Sequence, residues 1–368
     1  MMGTRGVPAL YGGFETAVEE IGERLVARGH EVTVYSRNRN QNLQQFNGMR
    51  LINLPALRLR HAETLSHATL SAAYAIARSR PDVAILFNAA NAPLVSLLHA
   101  AGIPVAVHVD GLEWKRDKWQ GAGARYFRWA EREASLKADI VIADAVGIVD
   151  HLREAYGRQA VFIPYGAHVI TPGYDQLSAL SLTPGAYHLV VARFEPENHV
   201  REVVEGFLRS DAKLPLAVVG SAPYSRKYTL EVERMAATSP RVRLLGGVWD
   251  QQVLDQLYGN CFTYLHGHSV GGTNPSLLRA MGAKAPVTAY DVVFNREVTA
   301  GIARFFSTPA EVRLALEADE ADPSSASDRG SRGQSHVASS YRWDDVTDGY
   351  ERLCRELQVR SRRSRNDP

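Results

Sequence analysis

Apolar residues along this 368-residue chain follow two alternating patterns. Phe14, Val18, Ile21 and Leu25 stand three or four apart, the spacing of one helix face, and Gly29 supplies a stop. Short continuous apolar runs bounded by Pro, Asp or Gly follow at 31–36, 82–87, 103–109, 139–143 and 161–164. Such runs predict strands of a parallel sheet covered on both faces. A stretch rich in Pro, Gly, Ser and Thr, 168–184, interrupts the rhythm. It restarts with strands predicted at 187–192, 214–220, 241–245, 261–265 and 286–290, and helices near 200–208, 224–235, 251–258 and 275–281.

The pattern predicts an α/β chain of two Rossmann-like, doubly wound domains. The expected division is an N-terminal domain over 1–168, a linker over 169–184 and a C-terminal domain over 185–335. Residues 336–368 then hold a helix returning toward the first domain, and a basic tail. Residues 322–336, biased to Ser, Asp, Gly and Arg, read as a flexible loop. Only Met1 and Met2 precede the turn Gly3–Gly6, so the first strand reads as truncated, with the expected start further upstream.

Composition narrows the function. Hydrophobic residues at 45% and charged ones at 22% can fill two ordinary cores. Lys and Arg number 42 against 40 Asp and Glu, and a net +2 gives no field for nucleic acid, so any anion site must be local. Cys261 and Cys354 make neither a disulfide framework nor a metal-ligand spacing. No apolar run approaches the roughly 20 residues of a membrane span, and no signal-like N-terminus is present. The expected location is the cytoplasm. Arg360, Arg362, Arg363 and Arg365 leave two readings open, peripheral contact with the inner membrane surface or a solvated tail.

Candidate chemistry gathers at expected strand ends. Gly3, Gly6, Gly12 and Gly13 lie between a strand remnant and a helix, where backbone amides can approach an anion. Their spacing is not that of a dinucleotide fingerprint, and the next strand ends in Ser36 and Arg37 without an acid. The segment His266–Arg279 follows a strand and opens a helix, with Asn274 suited to the cap and Pro275 to the first turn. A diphosphate against Gly272, Thr273 and Asn274 would meet free amides and the helix dipole, without a metal. Arg193 ends the first strand of the second half and offers a planar cation to phosphate, or an ion pair to Glu195 or Glu197. His108 and Asp110 end another strand and are candidates for sugar or acceptor hydroxyls, with a structural histidine as the rival reading. Trp114–Arg132 mixes six cations with five aromatic residues and reads as an amphipathic helix, packed on its sheet or lying at an interface. There is no Asp-x-Asp pair, so no metal-bridged diphosphate is expected.

Gly3–Thr16, Asp110–Arg116, Ala143-Asp144, Ile163–Gly166, Ala192–Asn198, His266–Leu278 and Asp291–Glu297 together resemble blocks of glycosyltransferase family 4, in its bacterial rhamnosyltransferase-like branch. The resemblance covers nearly the whole chain. It implies the GT-B fold, two Rossmann-like domains facing across a cleft, the first on the acceptor side and the second binding the nucleotide sugar. It implies retaining transfer of a sugar, rhamnose first, from a nucleotide diphosphate donor to a saccharide or polyprenyl-linked acceptor in surface polysaccharide synthesis, with no further cofactor. In that reading His108, Asp110 and Arg193 are catalytic, while Gly12, Gly13, Arg193, His266, Gly272, Thr273, Asn274 and Arg279 bind donor. Three positions depart from the family. Gly271 and Arg279 stand where two glutamates are usual, and Arg279 cannot accept hydrogen bonds from a ribose. Asn198 stands where a lysine is usual, which Arg279 would partly compensate. Rival readings are a sugar-nucleotide-binding partner without turnover, and an epimerase on the same fold.

Overall fold

A two-residue stitch organises the first half of the chain. The structure, a computed structural model, describes residues 1–9, 12–37, 43–57, 63–109, 111–116, 119, 121–221 and 225–366, with side chains as far as 360. It divides into two units, Met1–Tyr165 with Trp343–Pro368, and Gly166–Arg342.

The first unit contains β1 (Thr33–Ser36), β2 (Gln45–Phe46), β3 (Met49–Asn53), β4 (Ala84–Phe87), β5 (Val105–Val109), β6 (Ile140–Ala143) and β7 (Val161–Phe162). They pair as β1-β3-β2 and β4-β5-β6-β7, all parallel except β2 on β3. Met1 and Met2 join the two sheets. Tyr35 N donates to Met1 O at 3.1 Å, Met2 N to Ile85 O at 3.0 Å and Phe87 N to Met2 O at 2.9 Å. The expected first strand is thus represented by one parallel bridge, Met2 to Leu86. The strands on one side of it come before those on the other in sequence, so the order reverses at Met2. From there the chain enters Gly3 at φ +96°, where a β-carbon would lie 2.3 Å from Phe87 O. Only glycine fits that turn. The helix Gly13–Ala27 follows and buries the predicted stripe through Val18, Ile21 and Leu25.

The second unit contains β8 (His188–Val191), β9 (Leu216–Val219), β10 (Val242–Gly246), β11 (Thr263–His266), β12 (Val287–Tyr290) and β13 (Arg304–Phe306), all parallel in the order β10-β9-β8-β11-β12-β13. The chain winds outward from β8 to β10, then returns to the other side of β8 at β11. That reversal is where open α/β sheets bind ligands, outside the carboxyl ends of the strands. Beneath it Val190, Val218 and Leu265 pack with Val203, Phe207, Val312 and Leu316 from the helices Val200–Leu208 and Pro309–Ala321.

The stretch read as a flexible loop is helical, Pro323–Ser340. Asp322 caps it by accepting from Ser325 N at 3.0 Å, and Pro323 suits its first turn. Its buried positions, Ala326, Arg329, Gly330, Gly333 and Val337, fall on one helix face. At Gly330 a β-carbon would meet Lys284 O at 2.3 Å, so the low-propensity residue is what lets the helix sit down. Packing overrides propensity here.

The last helix, Trp343–Asn366, packs in the first unit and buries Val346, Tyr350, Leu353 and Leu357. Arg28 donates to Asp348 at 2.6 Å and to Glu351 at 2.8 Å, tying it to Gly13–Ala27. Among the described residues no helix is long and apolar enough to cross a membrane.

Candidate active site

In the second unit the loops after β8 and β11 are sewn together at the sheet's reversal. Ser269 donates to Glu197 O from both N (2.9 Å) and Oγ (3.0 Å), and His199 Nδ1 lies 2.8 Å from Gly267 O. A β-carbon on Gly267 would stand 2.1 Å from Asn198 O, so the approach depends on glycine. Arg193 is exposed at the carboxyl end of β8. Its carbonyl accepts from the buried Asn198 Nδ2 at 2.8 Å, so Asn198 holds the arginine's backbone. Asn295 anchors the other side, donating to His268 O at 2.9 Å and Tyr290 O at 2.8 Å.

The helix Pro275–Gly282 starts as its sequence predicts. Asn274 Oδ1 accepts from Ser276 N at 3.0 Å, and Pro275 brings no amide. With that first turn closed by the cap, the amides of Gly272 and Asn274 have no protein acceptor among the described residues. Thr273 between them is buried. Gly271 sits at φ +147° with open space where a β-carbon would go, so conformation selects glycine there.

His266 is fully buried, and burial pulls its pKa to about 3. Its Nδ1 lies 3.1 Å from the Tyr264 hydroxyl, its ring stacks on His268 at 4.4 Å, and its Nε2 has no hydrogen-bond partner among the described residues. A neutral imidazole in this state can donate or accept a hydrogen bond but carries no charge at neutral pH. Arg279 turns to the helix Gln251–Gly259. Its Nε donates to Asp255 at 2.7 Å, Nη1 to Gln251 Oε1 at 2.6 Å and Nη2 to Gln251 O at 2.7 Å.

In the first unit Gly12, at φ +108°, precedes the helix beginning at Gly13, which has no side-chain cap. Glu15 in its first turn accepts from Arg5 N at 2.8 Å, and Glu19 one turn on accepts from Ala9 N at 2.6 Å. Both acids therefore close the glycine loop. His108 on β5 is buried among Phe14, Phe87, Tyr165 and Tyr350, with ring centroids 5.2–6.3 Å away. Burial pulls its pKa to about 3 as well. Its Nδ1 meets the Tyr350 hydroxyl at 2.7 Å, and its Nε2 has no hydrogen-bond partner among the described residues. Asp110 lies outside the described residues.

The structure therefore brings Arg193, His266, Gly272, Thr273 and Asn274 to the reversal of one sheet, and Gly12, Gly13 and His108 to that of the other. Sequence reasoning did not single out Tyr350, Tyr264 or Asn295. Tyr350 lies 242 residues from His108, and no local signal links them.

Residues 12–166 match the family model of a glycosyl transferase 4-like domain. The whole chain is similar in fold to sucrose-phosphate synthase from Thermosynechococcus elongatus, with a TM-score of 0.81 and 19% identity over 95% of this chain and 94% of that one. It is also similar to Anabaena HepE in complex with UDP-glucose (0.77, 15% identity, 95% and 98% covered). A third likeness is to WaaG, a glycosyltransferase involved in lipopolysaccharide biosynthesis (0.72, 14% identity, 96% and 98% covered). The fold is thus GT-B, with two Rossmann-like domains. Residues 12–166 therefore carry a glycosyl transferase 4-like domain.

Proposed function

We propose that the chain transfers a sugar from a nucleoside diphosphate donor to an acceptor hydroxyl with retention of the anomeric configuration. The observation that carries this reading is the conjunction, at the β8–β11 reversal, of Arg193 with the amides of Gly272 and Asn274. A planar cation and oriented amides hold a diphosphate, and they bind it more strongly as negative charge grows on it. As the bond from the anomeric carbon to the diphosphate breaks, the acceptor oxygen bonds to that carbon and its proton passes to the leaving phosphate. The buried imidazoles of His108 and His266 act as neutral hydrogen-bonding groups for sugar or acceptor hydroxyls, with Asp110 a further candidate beside His108. Gly12 and Gly13 offer amides to the donor phosphates or acceptor. No metal or further cofactor enters this reading. Arg279, held by Asp255, braces the phosphate-binding helix rather than touching the donor.

For the donor, HepE has been solved with UDP and with UDP-glucose, and the rhamnosyltransferase-like motifs favour deoxythymidine-diphosphate-rhamnose. For the acceptor we favour a saccharide or polyprenyl-linked sugar of a surface polysaccharide, used at the cytoplasmic side of the inner membrane. The helix Ala122–Lys137 supports this, since Arg125, Trp129, Arg132 and Leu136 form one exposed stripe at three- and four-residue spacing.

Thermal unfolding with a panel of nucleotide sugars tests the reading. A donor at about 100 times its dissociation constant stabilises the fold by about 2.7 kcal/mol. The expected result is a rise in Tm with one uridine or thymidine donor, lost in Arg193→Ala. No shift with any member overturns it. Binding without transfer would favour a partner protein, and donor interconversion without acceptor an epimerase.

A further inference from the structure

The C-terminal helix brings a hydroxyl to a residue of the proposed reaction. Tyr350 and His108 are both about 1% exposed, and the Tyr350 oxygen lies 2.7 Å from His108 Nδ1. Either group can be the donor in principle. A phenol is the better acid and an imidazole nitrogen the better base, so the pair settles as O–H donating to Nδ1. Burial and the nearby Asp144 carboxylate push the Tyr350 phenol far up from its ordinary value, which keeps the proton on it. An imidazole that accepts at Nδ1 and is neutral must carry its hydrogen on Nε2, the nitrogen with no hydrogen-bond partner among the described residues.

We propose that Tyr350 is a positioning residue that locks His108 in its Nε2–H tautomer, making that nitrogen a hydrogen-bond donor to a sugar oxygen. The proposal rests on the transfer reading above only for the identity of the acceptor oxygen. The second unit offers a looser parallel. Tyr264 faces His266 Nδ1 at 3.1 Å but also has Ser276 Oγ at 3.4 Å and Val191 O at 3.5 Å as competing partners. No hydrogen bond of the Tyr350 hydroxyl other than that to His108 occurs among the described residues.

The test uses the full chain labelled with 15N-histidine. Nitrogen NMR should find His108 with an unprotonated Nδ1 and a protonated Nε2, and Tyr350→Phe should turn that single state into a tautomer mixture. A protonated Nδ1 in the wild-type chain, or an unchanged tautomer in Tyr350→Phe, overturns the proposal. The wild-type spectrum decides the matter even if the variant does not fold. Kinetics add a second readout. Tyr350→Phe should lower kcat about tenfold, the size of one lost hydrogen bond, with the donor KM little changed. In a His108→Gln background, whose amide donates without a tautomer, the same change should alter kcat by less than about twofold. Equal losses in both backgrounds would mean that Tyr350 acts through general packing, and would overturn the positioning role. If the tautomer shifts but neither variant affects transfer, the lock stands and the assignment of His108 to the reaction falls.

Discussion

Arg279 donates from Nε to Asp255 at 2.7 Å, so the cation on the helix Pro275–Gly282 is matched by a carboxylate of the preceding helix. The Arg279 side chain is also held by Gln251, whose Oε1 accepts from Nη1 at 2.6 Å and whose carbonyl accepts from Nη2 at 2.7 Å.

Arg279→Ala should therefore act on stability more than on chemistry. Both partners are partly exposed, so the pair contributes about 0.5–1 kcal/mol. The expected outcome is a Tm lower by a few degrees, with transfer within about threefold of wild type. A loss of about a hundredfold, carried by the donor KM, would return Arg279 to the donor site.

Acid should destabilise the fold through its buried histidines. Burial holds His108 and His266 at about 3 and His67 at about 4, whereas in the unfolded chain each titrates near its ordinary 6.5. Between those values the unfolded chain binds more protons than the native one. Stability is thus full above 6.5 and falls as the pH drops toward 3 to 4, by up to about 1.4 kcal/mol per pH unit for each histidine. Urea midpoints at pH 7 and pH 5 would register the loss, and His67→Phe should flatten the slope. A stability independent of pH over that range contradicts the assignment. The rate profile should show no inflection near 6.5 from His108 or His266.

Chelation distinguishes the proposed charge stabilisation from a metal-bridged one. With Arg193 and backbone amides neutralising the diphosphate, transfer in excess EDTA should stay within about twofold of the untreated rate. A collapse restored by added magnesium or manganese would require carboxylates that the reading does not include.

Membrane contact is tested with vesicles containing anionic lipid. The exposed stripe on Ala122–Lys137 should sediment the protein with them, and Arg125→Glu with Arg132→Glu should weaken binding by about 1 kcal/mol for each charge removed, more if repulsion adds. Binding that is unchanged in the double variant, or absent in the wild type, removes this helix from the acceptor reading.

Much of the fold was legible because local and tertiary preferences agree. Apolar runs such as 103–109 and 214–220 contain β5 and β9, and Asn274 with Pro275 forms the helix start its chemistry predicts. The helix Pro323–Ser340 was hidden because Ser and Gly are poor helix formers, and their fit against Lys284 is a tertiary fact. The hairpin of β2 and β3 and the short edge strand β13 were missed, having few residues to show a period. At the site, backbone roles were readable because Gly and Pro announce them. Side-chain commitments were not. Nothing near position 279 shows that Asp255 captures the arginine, and nothing near His108 points to Tyr350.

The most direct test of the central claim is acceptor-dependent release of nucleoside diphosphate, followed for wild type and Arg193→Ala with the donor that raises Tm. The account predicts release only when acceptor is present, and a loss of at least about a hundredfold in kcat in a variant that stays folded. Unchanged turnover in folded Arg193→Ala would contradict it.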